Sequence, residues 1–109
     1  CLNPDGYVYN ETTNPNGGGM HRKNRRNVGT TNMGVDLNRN YSYGWGTTGV
    51  SFNVNDDTYP GTGAFSEPET QAMKWLVTNN KFTTAFNAHT YANDILFPIG
   101  TTTAFSNDP

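Results

Sequence analysis

Residues 66–91 read SEPETQAMKWLVTNNKFTTAFNAHTY, and the hydrophobic period changes half-way along. In the first part Ala72, Met73, Leu76 and Val77 fall on one stripe at helical spacing. Ser66 with Glu69 three residues later has the form of a capping box and predicts a helix N-terminus at Ser66. Glu67 and Glu69 complement the positive end of the helix. Pro68 is tolerated in the first turn because its missing N–H would have no helical partner. Asn79 and Asn80 end the helix. From Phe82 to Ala88 apolar and polar residues alternate, which predicts a strand. DILFP, residues 94–98, predicts a second short strand stopped by Pro98. Helix then strand, joined by a few residues, implies α/β layering. In such sheets ligands lie beyond the carboxyl ends of strands, and His89 stands at that end.

The remaining chain is poorer in regular pattern. NPDGYVY, residues 3–9, sets Asn-Pro and Asp-Gly back to back and predicts turns. Cys1-Leu2 before it reads as the stub of a strand. Residues 10–19, NETTNPNGGG, read as a flexible loop, and MGVDLN, residues 33–38, as a brief extended segment. Residues 40–64 are mostly Gly, Ser, Thr, Asn and aromatics, a loop long enough to be functional or covering. The 109 residues fit one small domain, without internal repeats or a domain boundary. Val, Ile, Leu and Phe together fall below the roughly 20% that marks thin core material. With a net charge of only −2 and 13% aromatics, disorder explains this poorly. The reading is a loop-rich chain, or part of a larger domain.

No run approaches the roughly 20 apolar residues of a membrane span. The start lacks a basic stretch followed by an apolar one, and so reads as no signal peptide. One cysteine, Cys1, excludes an internal disulfide. The Asn/Thr/Gly-rich, Lys-poor composition suggests an extracellular or secreted protein. Asn10 and Asn40 open sequons of the kind that arise by chance. Five of the seven basic residues lie between Arg22 and Arg39, while the rest of the chain is acidic or neutral. That distribution argues against a broad phosphate-tracking face, and hence against a nucleic-acid partner. It leaves a solvated basic turn or a local pocket for a small anion.

GVDLNRNY, residues 34–41, favours the pocket. The Arg39 guanidinium is a fork of donors that matches a carboxylate, and Asn38 adds an amide donor. The competing reading pairs Arg39 with Asp36 or a surface carboxylate. His89 reads either as a packed, hydrogen-bonded residue or as a ligand. His21 is followed at the third position by Asn24, so it forms no His-x-x-Glu pair. No second His or Cys stands at metal-ligand spacing, so the chain alone lacks the makings of a three-ligand zinc site. Asp56, Asp57, Glu67 and Glu69 in NDDTYPGTGAFSEPE form an oxygen-rich stretch that suits calcium, although a helix cap also explains the two glutamates.

Taken in order, NPDGY, RKNRR, GVDLNRNY, FSEPETQAM, FNAHTY and ILFP resemble the zinc carboxypeptidases of the funnelin type, which include the pancreatic carboxypeptidases and bacterial relatives such as carboxypeptidase T. The resemblance runs from about Asn3 to Gly100. It implies a mixed-sheet α/β/α catalytic domain of which residues 1–109 are the central portion, incomplete at both ends. It implies that Asn38 and Arg39 bind the free C-terminal carboxylate of a peptide. Arg22 polarises the scissile carbonyl. His89 is a zinc ligand, Thr90 stands where Ser is usual, and Tyr91 lines a peptide subsite. Asp36 matches a residue that orients another zinc ligand. The family's His-x-x-Glu ligands, its general-base Glu and its mobile Tyr are absent, so the isolated chain is expected to be inactive. The complete domain is expected to be a monomeric, zinc-dependent peptidase acting on peptide C-termini. The alternative is a non-catalytic relative that keeps the carboxylate grip.

Overall fold

A computed structural model describes residues 1–89 and 93–96. Among these residues the regular elements are α1 (Pro4–Thr13), a 3-10 turn (Leu37–Arg39) and α2 (Pro68–Asn79). Long connections join them.

NPDGYVY, expected to be turns, is the start of α1. The Asn3 side chain accepts from the Gly6 amide at 3.0 Å, Pro4 occupies the first helical turn, and Asp5 adds an acidic group there. Turn and N-cap chemistry use the same residues, and the non-breaking YVYNETT that follows decides between them. The cap also binds outward. Asn3 Nδ2 donates to the carbonyls of Arg22 at 3.1 Å and Lys23 at 3.0 Å, docking α1 on the basic segment. A Cβ at Gly6 would meet the Asn3 amide and the Lys23 carbonyl, so the close approach needs glycine.

The centre is more polar than apolar. Val35, Leu37 and Tyr59 are its buried hydrophobic side chains, beside buried Lys23, Asn24, Asp36, Asn40, Glu67 and Thr70. The polar groups are stitched together, as burial demands. Asn24 exchanges bonds with Val35 at both backbone and side chain, at 2.9 and 2.8 Å. The Asp36 amide donates to the Tyr59 carbonyl at 2.8 Å. These isolated bonds build no ladder, and of MGVDLN, expected to be extended, Leu37 and Asn38 belong to the 3-10 turn. Gly34, at φ 105°, allows the approach, since a Cβ there would collide with the Asn24 carbonyl. Asn40 joins the long loop to α2. Its Nδ2 donates to Pro60 O, Gly63 O and Ser66 Oγ, at 2.8, 3.1 and 2.9 Å. Its Oδ1 accepts from Thr70 Oγ1 at 2.6 Å and from the Glu67 amide. A side chain so enclosed is no glycan acceptor in the folded chain.

α2 exists where expected, but its cap differs. Pro68 is the first helical residue and Glu67 the cap, with no side-chain capping bond. Ser66 is drawn instead into the Asn40 network and donates to Glu67 Oε1 at 2.8 Å. Glu69 stands in the first turn as expected. The apolar stripe is uncovered among the described residues: Met73 is half-buried, while Ala72, Leu76 and Val77 are exposed. The strand expected over 82–88 is absent, as is strand structure over 94–96. Residues 97 and 98 of that second expected strand lie outside the described residues. A strand needs a laddered neighbour, and none faces these segments among the described residues. Phe86 and Ile95 accordingly stand 95% and 87% exposed.

Candidate active site

Most of the basic run has partners within the chain. Lys23 is buried, with its ammonium among three backbone carbonyls. The Arg25 guanidinium stacks 3.9 Å from the Tyr9 ring centroid. Arg26 Nη1 donates to the buried Glu67 carboxylate at 2.6 Å.

Arg22 points elsewhere. Its Nη2 pairs with Asp36 Oδ2 at 2.8 Å, with Arg22 half-exposed and Asp36 buried. The other Asp36 oxygen caps the 3-10 turn, accepting from the Asn38 amide at 3.1 Å. Burial pushes the Asp36 carboxyl above its ordinary value, against the opposing pull of Arg22, Arg39 and these hydrogen bonds. The expected partner of Asp36 was another zinc ligand; among the described residues the partner is Arg22.

Arg22, Asp36, Asn38 and His89 line a single open cleft of about 490 Å³. His21 and Met20 line it too. The His21 ring packs edge-on against Tyr9 at 4.8 Å, with Nε2 3.2 Å from the Asn24 carbonyl, so it is a structural wall.

Arg39 does not pair with Asp36. Its Nε donates to the Gly49 carbonyl at 2.7 Å and its Nη1 to the Asn38 carbonyl at 3.2 Å. Among the described residues its Nη2 has no protein acceptor. Arg39 lines a second open cleft, of about 420 Å³, walled by Tyr41, Tyr43, Trp45 and Val50. Burial raises the Tyr41 hydroxyl, which keeps its proton. Asn38 lines both clefts, so they adjoin. The aromatic wall had no assigned role in the sequence; the only signal was the density of aromatics between loop glycines. Thr90 and Tyr91 lie outside the described residues.

Among the described residues no group of three or more His, Cys, Asp or Glu is arranged to hold a metal ion. His89 supplies one imidazole to the cleft, so these residues alone do not fit a zinc site. The calcium reading fares no better. Asp56 accepts from Ser51 and Asn53, Asp57 from Asn32, Glu67 from Arg26, Asn24 and Ser66, and Glu69 from Asn24.

The profile of the zinc carboxypeptidase family matches residues 1–109. The chain belongs to the zinc carboxypeptidase family. It is 40% identical to carboxypeptidase O of Bos taurus over 98% of its own length and 28% of that protein's. It is 38% identical to zinc carboxypeptidase A 1 of Drosophila melanogaster over 92% of its own length and 23% of that protein's. In structure it resembles the carboxypeptidase A of Helicoverpa armigera, with a TM-score of 0.59 and 41% identity, over 72% of this chain and 19% of that one. The chain therefore spans less than a third of these zinc carboxypeptidases. No helix among the described residues is long and apolar enough to cross a membrane.

Proposed function

We propose that this chain is the substrate-anchoring part of a zinc-dependent metallocarboxypeptidase that removes the C-terminal residue of peptides. The observation that carries the reading is the shared cleft. Arg22, Asp36, Asn38 and His89 line one depression, and Arg39 continues it next door. One extended ligand can address all of them.

In this reading Arg39 Nη2 and the Asn38 amide grip the terminal carboxylate, while the Arg39 Nε–H bond to Gly49 fixes the fork. Each charge-assisted bond contributes about 1.5–3 kcal/mol. Arg22, held at one nitrogen by Asp36, presents its other donors where negative charge grows on a scissile carbonyl. His89 offers one imidazole to the metal, Asp36 orients the groups around it, and Thr90 and Tyr91 line the peptide path. Zinc's other ligands and the general base belong to other parts of the protein. The bare face of α2 and the exposed residues 82–89 and 93–96 supply layers of a mixed-sheet α/β/α domain. The complete protein is monomeric and secreted, in keeping with the composition.

The test is an assay of this chain with zinc and an N-blocked dipeptide. No turnover is expected, while N-acetylphenylalanine should shift the Arg39 Nε–H resonance. Arg39→Ala should weaken that binding by about 10- to 100-fold. Turnover by the purified chain, or a ligand response that survives Arg39→Ala unchanged, would overturn the proposal. A complete protein that binds blocked amino acids but never hydrolyses peptides would instead be a carboxylate-binding relative.

A further inference from the structure

The geometry points to Lys23 as a positioning residue for Arg39: its ammonium is a built-in cation that pins the 49–59 loop, and that loop fixes the guanidinium.

Lys23 is fully buried. Its Nζ donates to Asn32 O at 2.9 Å, Val54 O at 2.9 Å and Asp56 O at 3.1 Å. An ammonium has three protons and no acceptor, so the three carbonyls match its full capacity. The Tyr59 ring lies 5.9 Å away on another side. Convergent carbonyls with no anion in direct contact are the surroundings of a bound monovalent cation, and here the side chain provides that cation. A buried charge that lost one of these bonds would incur the desolvation penalty of an ion. Burial lowers the Lys23 pKa, while Asp57, Asp56 and Asp36 favour the charged form. Residues 54 and 56 are thus clamped to the same segment that carries Arg22.

The clamp reaches Arg39 through the loop. The Asp56 carboxylate accepts from Ser51 Oγ at 2.6 Å and from Asn53 Nδ2 at 3.3 Å. The Ser51 amide donates to Thr58 O at 3.3 Å, closing residues 51–58 on themselves. Two residues before Ser51, Gly49 O accepts Arg39 Nε–H at 2.7 Å. That bond orients the fork, whose Nη2 has no protein acceptor among the described residues. Lys23 touches no ligand in this arrangement; it acts by holding the acceptor that holds Arg39.

Hydrogen exchange of Arg39 Nε–H in the full chain tests this without any ligand. In Lys23→Met it should accelerate by about 10-fold or more, while the Asn24 amide, bonded to Val35 O, keeps its protection. In Lys23→Ala, propylammonium should restore the protection and tetramethylammonium at equal concentration should not. Unchanged Nε–H exchange in a folded Lys23→Met would overturn the proposal. If that variant also loses the Asn24 amide protection, the wild-type chain decides. Under graded urea, the Ser51 and Tyr59 amides and Arg39 Nε–H should open as one unit, and separate opening would overturn it.

A ligand arm rests on the carboxylate reading above. N-acetylphenylalanine should bind Lys23→Met about 10-fold more weakly than wild type. Wild-type affinity in that variant counts against Lys23. Absence of binding to wild type, with the exchange coupling intact, supports Lys23 and overturns the carboxylate reading alone.

Discussion

Asp36 is where single-residue electrostatics can be read in solution. Its carboxyl is buried, and burial raises its pKa more than Arg22, Arg39 and two hydrogen bonds lower it. A raised carboxyl binds protons more tightly in the folded chain than in the unfolded one. Its stabilising contribution is therefore complete below the unfolded value and is lost as pH rises through the folded value. Arg22 is the largest of the opposing influences, so Arg22→Ala should move the Asp36 titration further up, followed by the carboxyl carbon resonance against pH. A midpoint unchanged or lowered in that variant would show that the pair at 2.8 Å is not formed in solution. Asn40 is the matching case for a neutral side chain. Its amide serves Pro60, Gly63, Ser66, Thr70 and Glu67 at once. Asn40→Ala leaves several buried groups unsatisfied, each costing about 1–3 kcal/mol. The expected loss is at least about 3 kcal/mol in a denaturant melt. Nothing in the triplet Asn-Tyr-Ser reveals this role, because the partners lie 20–30 residues away. Arg39 differs: a fork of donors beside an amide implies an anion on chemical grounds alone, and the structure leaves one of its nitrogens without a protein acceptor among the described residues.

At the scale of elements, the two helices show which sequence signals were sufficient. α2 was legible because its apolar spacing is long and periodic. Its cap was not, since Ser66 has two possible uses and the distant Asn40 wins. A capping box would couple Ser66 to Glu69, whereas the observed network couples Ser66 to Asn40. Double-mutant cycles with alanine should give a Ser66–Glu69 coupling below about 0.3 kcal/mol and a Ser66–Asn40 coupling of about 0.5 kcal/mol or more. α1 was illegible as a helix because Asn-Pro and Asp-Gly announce turns as loudly as caps. Asn3 now carries both the cap and the docking bonds to residues 22 and 23. Asn3→Ala should therefore cost more than the usual cap loss of about 1 kcal/mol. Asn3→Asp keeps the cap acceptor but loses the docking donors, so it should retain that excess loss, and wild-type stability in Asn3→Asp would show that the docking bonds contribute nothing. The expected strands failed for a different reason. Alternation in FTTAFNA specifies a face but cannot supply the neighbour that makes a ladder, and no neighbour is present among the described residues.

The whole molecule joins a polar centre to an apolar outside. Val35, Leu37 and Tyr59 are its buried hydrophobic side chains among the described residues, while Trp75, Phe82, Phe86, Ile95 and Leu96 are all more than half exposed. Such an inversion is not a stable end-state for a chain in water, since each large apolar side chain left uncovered forfeits about 1.5–3 kcal/mol. Contiguous apolar surface marks a face made to be covered. The α2 stripe and the 82–96 segment are consecutive in the chain, so a covering layer would bury both together. The residues that line the clefts do not depend on that face. Arg22, Asp36, Asn38 and Arg39 are held by Asn24, Asn40 and Lys23, whose bonds do not use the bare face. The chain should consequently keep these clefts while associating through its apolar side. Sedimentation should show concentration-dependent self-association with dye-accessible apolar surface. The triple change Trp75→Lys, Phe86→Lys and Ile95→Lys should abolish that association and leave the Arg39 Nε–H resonance in place. If the triple variant stays monomeric but the Arg39 resonance collapses to its random-coil position, the cleft depends on the covering layer and the polar network is not self-supporting.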